Sequence, residues 1–347
     1  MKVGIDFGSS SIKIVTESKG LVLNEPSIVA IQKENGKPIA FGSAAFDLYG
    51  RVNEDIEIHK VIRNGAISDI YLAKRMLHYY LKKVCGNKIY KPNIIIGVPS
   101  DSNSLERNIF LDTVTSAGAG RVCLIDGILA SSFGCDTNSN KLGGRMIIDI
   151  GHQTTEFAII SMGSIASKGT VRIGSDIIDK AIIKHMKKDR DIIIGPHTAR
   201  NIKNKMVSAV KRNDEIAIFV SGKSVIDDLP ISFEISSTEI FPIINEQIEI
   251  LVKCIHSEMV NILPELLADA SDHGIKLCGG GALIFDIDKR LSDELGIRCS
   301  VVDNPLNSKA NGLKYLIDNK ELLENNNYQF IFKDDLKDKL NKFYNMQ

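Results

Sequence analysis

The sequence predicts an α/β protein built from two related halves, and three observations carry that prediction. The first is a repeat: Val3-Gly4-Ile5-Asp6-Phe7-Gly8-Ser9-Ser10-Ser11-Ile12 returns about one domain later as Ile147-Ile148-Asp149-Ile150-Gly151-His152-Gln153-Thr154-Thr155-Glu156. In each copy a β-branched apolar run ends in Asp, a Gly permits a tight reversal, hydroxyl residues fill the turn and a second apolar run follows. Each copy therefore reads as a strand, a phosphate-sized turn and a returning strand. The second observation is Lys276-Leu277-Cys278-Gly279-Gly280-Gly281-Ala282-Leu283-Ile284, again an apolar strand running into glycines that open a helix. Glycines there let backbone approach a flat ligand or a phosphate closely. The third is the alternation of strand-like and helix-like stretches along the rest of the chain, as mixed sheets flanked by helices require.

In chain order, residues 1–32 hold the first hairpin and a third strand, and 33–64 are richer in Gly, Asn and charge. From Ser68 onward Leu72, Met76, Leu77, Tyr80 and Leu81 recur at helical spacing and lead into a strand over 93–98. An amphipathic helix is predicted over 101–118, a strand over 122–125 and a low-apolar bridge over 137–144. Residues 147–172 repeat the hairpin, and 242–270 read as one long helical stretch before the glycine turn. After Asn325-Asn326-Asn327, Phe332, Leu336, Leu340 and Phe343 recur at helical spacing among alternating Lys and Asp, so the tail is expected to dock on its own domain.

At 347 residues and 44% hydrophobic content the chain is long enough for two cores. Its 43 basic and 43 acidic residues cancel, which disfavours nucleic-acid binding. The six cysteines form no C-x-x-C pair, and Cys123 and Cys278 sit in apolar strand-like runs, as reduced core thiols of a cytoplasmic protein would. No apolar run approaches the length of a membrane span, and the first residues pass directly into a strand, so any membrane contact is expected to be peripheral.

The turns indicate chemistry. Exposed backbone N–H groups and the hydroxyls of Ser9, Ser10, Ser11 and Thr154, with Gly8 and Gly151 at the reversals, suit phosphate oxygens. Asp6 and Asp149 can hold a hydrated Mg²⁺ or orient a water. Two such turns facing each other would clamp a polyphosphate.

These residues resemble those of the actin, Hsp70 and sugar-kinase superfamily, and within it most closely the MreB-like bacterial actins. Leu21-Val22-Leu23-Asn24-Glu25-Pro26-Ser27, Arg63-Asn64-Gly65-Ala66-Ile67-Ser68-Asp69, Ile96-Gly97-Val98-Pro99-Ser100 with Glu106-Arg107, Ile173-Gly174-Ser175-Asp176 with Asp179, and Asp303-Asn304-Pro305-Leu306 with Ala310-Asn311-Gly312 extend the likeness over about residues 1 to 320. The resemblance implies an actin-like fold closing on ATP and Mg²⁺. It implies one core from 1–32, 65–140 and 313–330 with an outer subdomain at 33–64. A second core then comes from 141–180 and 243–312, with an outer subdomain at 181–242 and a tail at 331–347. Asp6 and Asp149 become the metal residues, through water, and Gly279, Gly280, Gly281 and Ala282 join the nucleotide contacts.

Three family positions are altered. MreB-like proteins carry a Glu after the strand matching 122–125 that positions the attacking water; here the run is Ile125-Asp126-Gly127-Ile128 and that position is Gly127. Loss of such a group is expected to cost roughly 10²–10⁴ in rate, and Gly127→Glu is expected to restore phosphate release. Asp126 reads either as a substitute catalytic carboxylate beside Asp149 or as a solvated turn residue. The family's Gly-Gly in the second turn is His152-Gln153, whose side chains either block close backbone approach or donate to phosphate, with a solvent-facing His152 as the other reading. In the helix over 198–205 the family's Glu-x-x-Lys, which meets ribose and adenine, is Arg200 with Lys203, one turn apart and able to face one ligand.

The resemblance implies self-assembly into filaments, alone or with paralogous actin-like subunits, serving cell shape or motility, with weak ATP hydrolysis. Ile89 and Tyr90, between Lys88 and Lys91, fall where MreB-like proteins often carry a membrane-dipping loop and would suit the inner face of the cell membrane; the alternative is that Tyr90 packs at the entrance of the next strand. A monomeric nucleotide-dependent scaffold or reactivase is the alternative function, and self-assembly separates the two.

Overall fold

The structure, a computed structural model, describes residues 1–49, 54–86, 91–135 and 143–332. The sequence repeat becomes a structural one. Strand Lys2–Phe7 pairs antiparallel with Ser11–Thr16, Phe7 opposite Ile12, and strand Arg145–Ile150 pairs with Thr155–Ser161, Ile150 opposite Thr155. Each hairpin takes a third antiparallel strand on one side, Gly20–Pro26 or Ser164–Val171, and two parallel strands on the other. Those parallel strands are Asn93–Val98 and Arg121–Asp126 in the first half, Ile275–Cys278 and Cys299–Val301 in the second. The two main sheets thus share one order over five strands.

Central strands buried on both faces read as continuous apolar runs rather than alternating ones. Ile94, Ile95 and Ile96 in one sheet and Met146, Ile147 and Ile148 in the other are accordingly buried. The helix Ile70–Cys85, whose first turn is capped by Asp69 accepting from the Leu72 amide at 2.8 Å, buries all five of the residues that predict it. The helix Ser104–Ala117 starts at an Asn103–Glu106 capping box.

Two short helices lie between the sheets and bring the halves together. Gly127–Gly134 and Ser308–Asp318 cross at backbone contact: a Cβ on Gly312 would stand 1.6 Å from the Ala130 carbonyl oxygen, and one on Gly134 would stand 1.7 Å from that of Ser308. Neither position accepts a side chain.

The structure differs from the sequence prediction at four places. Ile28–Gln32, placed with the first core at 1–32, pairs instead with Pro38–Phe41 and Ile56–Lys60 in a separate three-stranded sheet. The stretch 242–270 is two helices, Ser237–Met259 with Pro242 in its second turn and Pro264–His273, because Pro264 cannot continue the first and opens the second. The glycine turn opens a single 3₁₀ turn, Gly280–Leu283, before the α-helix Ile287–Leu295. Phe332 is not the start of a helix: Ile331–Phe332 adds antiparallel to Arg121 and Val122 at the edge of the first sheet. Ile89 and Tyr90, most of the 137–144 bridge and residues 333–347 lie outside the described residues. Among the described residues no helix is long and apolar enough to cross a membrane.

Candidate nucleotide cleft

The two repeated turns close in the same way. The Gly8 amide donates to the Ser11 carbonyl at 3.0 Å, and the Gly151 amide donates to that of Thr154 at 2.9 Å. A Cβ on Gly151 would stand 2.6 Å from the Thr154 oxygen, so glycine is what allows this reversal. Both turns line one cavity of about 710 Å³ between the halves, within the range of small-molecule sites. Asp6, Gly8, Ser9, Ser10, Ser11, Asp149, Gly151, His152, Thr154, Arg200, Lys203, Gly279 and Gly280 all line it.

The remaining sequence-predicted residues do other work. Gly281 and Ala282 are buried behind the cavity, where a Cβ on Gly281 would overlap Ile150 at 2.2 Å, so that glycine allows the 3₁₀ turn to lie on the strand. Gln153 is turned away from the cavity: its Oε1 accepts from the Asn64 amide at 3.0 Å and its Nε2 donates to Asp176 at 3.1 Å, bridging the halves. Asp126 is neither solvated nor free. It is buried, with one carboxylate oxygen held by Arg107 and the other by Lys168 at 2.6 Å, and it does not line the cavity.

His152 lines the cavity, and its Nε2 is buried with no hydrogen-bond partner. Burial, followed by the nearby charges of Arg200, Lys203 and Lys60, pushes its pKa down to about 3 against the opposing pull of Asp176, so the ring is neutral at physiological pH. Lys203 donates to Asp179 at 2.9 Å and to the Ser175 carbonyl at 3.2 Å, and burial lowers its pKa despite the carboxylate. Arg200, at the mouth, places its guanidinium 5.8 Å from the centre of the Phe46 ring in the opposite half.

Sequence reasoning missed three groups here: Lys13 and Lys309 line the cavity, and Glu156 is buried beside Lys309. Lys13, third along the returning strand, is buried with its ammonium 3.9 Å from Asp6. Lys309 lies 3.4 Å from Asp149 and 3.3 Å from Glu156. Glu156 also accepts from the amide and hydroxyl of Ser100, both at 2.9 Å, across the halves. Burial alone would lower the pKa of Lys309, yet Asp149, Glu156 and Asp6 hold it well above the usual lysine value, so it is a permanent cation. A lysine inside the apolar run Ile12-Lys13-Ile14 is a legible signal, whereas nothing local marks Lys309.

Tested against these residues, a divalent cation between Asp6 and Asp149 does not fit. Each carboxylate already faces an ammonium, and Asp149 Oδ2 also accepts from Ser131 at 2.7 Å. The ammonium groups of Lys13 and Lys309 stand where a divalent ion bound directly to these carboxylates would stand.

A family model described as MreB/Mbl protein matches residues 1–325. The chain belongs to the MreB/Mbl family. The cell shape-determining protein Mbl of Bacillus subtilis is 31% identical over 324 residues, 92% of this chain and 97% of that one. The MreB of Escherichia coli K12 is 33% identical over 316 residues, 89% and 91% of the two chains. Among solved structures, MreB5 of Spiroplasma citri bound to ADP superposes with a TM-score of 0.87 at 28% identity, over 93% of this chain and 97% of that one. The same protein bound to AMPPNP gives 0.87 at 29% identity, over 93% and 98%. The MamK double helical filament, at 16% identity and a TM-score of 0.75 over 92% and 99%, shares the fold. This MreB/Mbl chain therefore has the actin-like α/β fold that its sequence predicts.

Proposed function

We propose that this chain is a cytoskeletal actin homologue of the cytoplasm that binds ATP in the cleft between its halves and assembles into filaments, with little hydrolysis. The observation that carries the reading is the pair of identically closed turns, Gly8–Ser11 and Gly151–Thr154, lining one cavity. Their amides and hydroxyls suit the β- and γ-phosphates. Val207, Leu283, Ile284 and Phe285 give the far end an apolar lining for a flat base, with Arg212 4.2 Å from the centre of the Phe285 ring. The solved Spiroplasma citri MreB5 structures, bound to ADP and to AMPPNP, support the same use of the cleft.

Weak turnover follows from Gly127, which offers no group to orient a water, and from Asp126, whose two oxygens are both occupied by cations. In such a protein nucleotide occupancy, through closure of the halves, sets the shape that assembles. Copolymers with paralogous subunits, a role in cell shape or motility, and contact with the inner face of the membrane through Ile89 and Tyr90 belong to the same proposal. So does the division into two cores, two outer subdomains and a tail. High-speed pelleting with and without ATP, with phosphate assayed in the same tubes, tests it. The expected result is ATP-dependent pelleting with little phosphate released. ATP binding without pelleting at any concentration would favour the monomeric scaffold or reactivase instead.

A further inference from the structure

We infer that the Lys309 ammonium stands in for the divalent cation, so that this cleft holds a nucleoside triphosphate without needing a metal ion. The inference rests on the nucleotide reading of the cleft and deepens it.

The geometry is specific. Lys309 projects from the helix Ser308–Asp318 into the floor of the cavity, between Asp149 at 3.4 Å and Glu156 at 3.3 Å, and lines the same cavity as both phosphate-type turns. An ammonium carries three donors and no acceptor. Two carboxylates leave one donor for a ligand oxygen, and the lysine lines the cavity. On the other side Lys13 sits 3.9 Å from Asp6. Both carboxylates assigned to the metal thus have a positive partner, and Lys309 is the ammonium that a phosphate oxygen held by the two turns would meet.

Gly127 belongs to the same arrangement. A Cβ there would stand 3.2 Å from the Lys309 ammonium and 3.3 Å from its last methylene, and 3.3 Å from the Val98 carbonyl oxygen. Glycine at 127 leaves room for the lysine. The absent water-positioning group and the ammonium therefore belong to one arrangement: the site lacks a group that would act on water and holds one that attracts phosphate. A point charge of this kind strengthens binding of the polyanion without supplying a base.

The test is equilibrium dialysis of radiolabelled ATP against the full chain in excess MgCl₂ and in EDTA, for the wild type and Lys309→Met. The wild-type Kd is expected to differ by less than about threefold between the two media. Lys309→Met is expected to lose at least about tenfold in EDTA, with Mg²⁺ recovering part of the loss, as removing one close charge from a partly buried site would do. Wild-type affinity that falls tenfold or more in EDTA, with MgATP still bound, overturns the inference and leaves the nucleotide reading standing. Unchanged affinity of Lys309→Met in EDTA also overturns it. Absence of ATP binding in both media overturns the nucleotide reading itself. The wild-type comparison decides the matter even if the variant does not fold.

Discussion

Gly127 shows how a residue with no side chain can still have a function-bearing neighbour. On sequence alone, Gly127→Glu looks like a repair of the water-positioning carboxylate. With Lys309 in place, the new side chain would start 3.2 Å from an ammonium, and its carboxylate would pair with that ammonium instead of a water. Phosphate release by Gly127→Glu is therefore expected to stay within about twofold of wild type, whereas Gly127→Glu with Lys309→Val should raise it about tenfold or more. Malachite-green assay of both variants checks this, and a single variant that is brisk on its own would contradict the arrangement. The same contact explains what the sequence hid. The turn glycines, Asp6 and Asp149 are legible because their chemistry is local to a motif. Lys309 is 182 positions from Gly127 and acquires its meaning only where two helices cross, just as Gln153 and Asp126 change meaning once Asn64, Arg107 and Lys168 arrive beside them.

At the scale of elements, the helix pair Gly127–Gly134 and Ser308–Asp318 sets the position of the floor. It packs against both main cores, burying Ala130, Leu313, Leu316 and Ile317 on the first sheet's side and Ile128 and Leu129 on the second's. Because the helices touch through Gly134 and Gly312, a methyl group at 312 must push them apart by more than a side-chain rotation can relieve. Gly312→Ala is expected to destabilise the chain by about 3 kcal/mol or more, above the usual range for one added methyl because the clash is with backbone. Urea unfolding followed by circular dichroism would register it as a lowered midpoint, and a midpoint within experimental error of wild type would refute the contact. Much at this scale was legible: the repeat marked the two hairpins, and helical spacing marked five buried residues of Ile70–Cys85. Boundaries set by pairing partners were not, since Ile28–Gln32 joins the small sheet through strands found well after it in the chain, and Pro264 divides a helical run whose apolar spacing continues across it.

Across the whole molecule, one group of contacts between the halves lies at the second turn. The two-stranded ribbon Ile62–Arg63 and Ala66–Ile67 presents Asn64 and Gly65 at its tip, both with positive φ, and a Cβ on Gly65 would stand 3.3 Å from the Thr154 methyl. The Asn64 amide donates to Gln153, its carbonyl accepts from Arg172 at 3.4 Å, and Arg172 also binds Asp101 at 2.9 Å and Glu106 at 3.2 Å. The residue pair that departs from the family's Gly-Gly thus supplies one side chain to the cavity wall, His152, and one latch between the halves, Gln153. A latch built beside the phosphate turn couples closure to occupancy, because a ligand held between the turns also holds the halves that the latch joins. The amide bridge is worth about 1 kcal/mol and the half-exposed Arg172 pairs about as much together, so Gln153→Ala with Arg172→Ala should speed nucleotide release by about tenfold or more. Stopped-flow release of a fluorescent ATP analogue measures the rate, and small-angle scattering of the nucleotide-free variant should show a larger radius of gyration than wild type. A release rate within about twofold of wild type would mean that closure is held by Glu156, Ser100 and Lys309 at the cavity floor, and that the latch at the second turn only follows it.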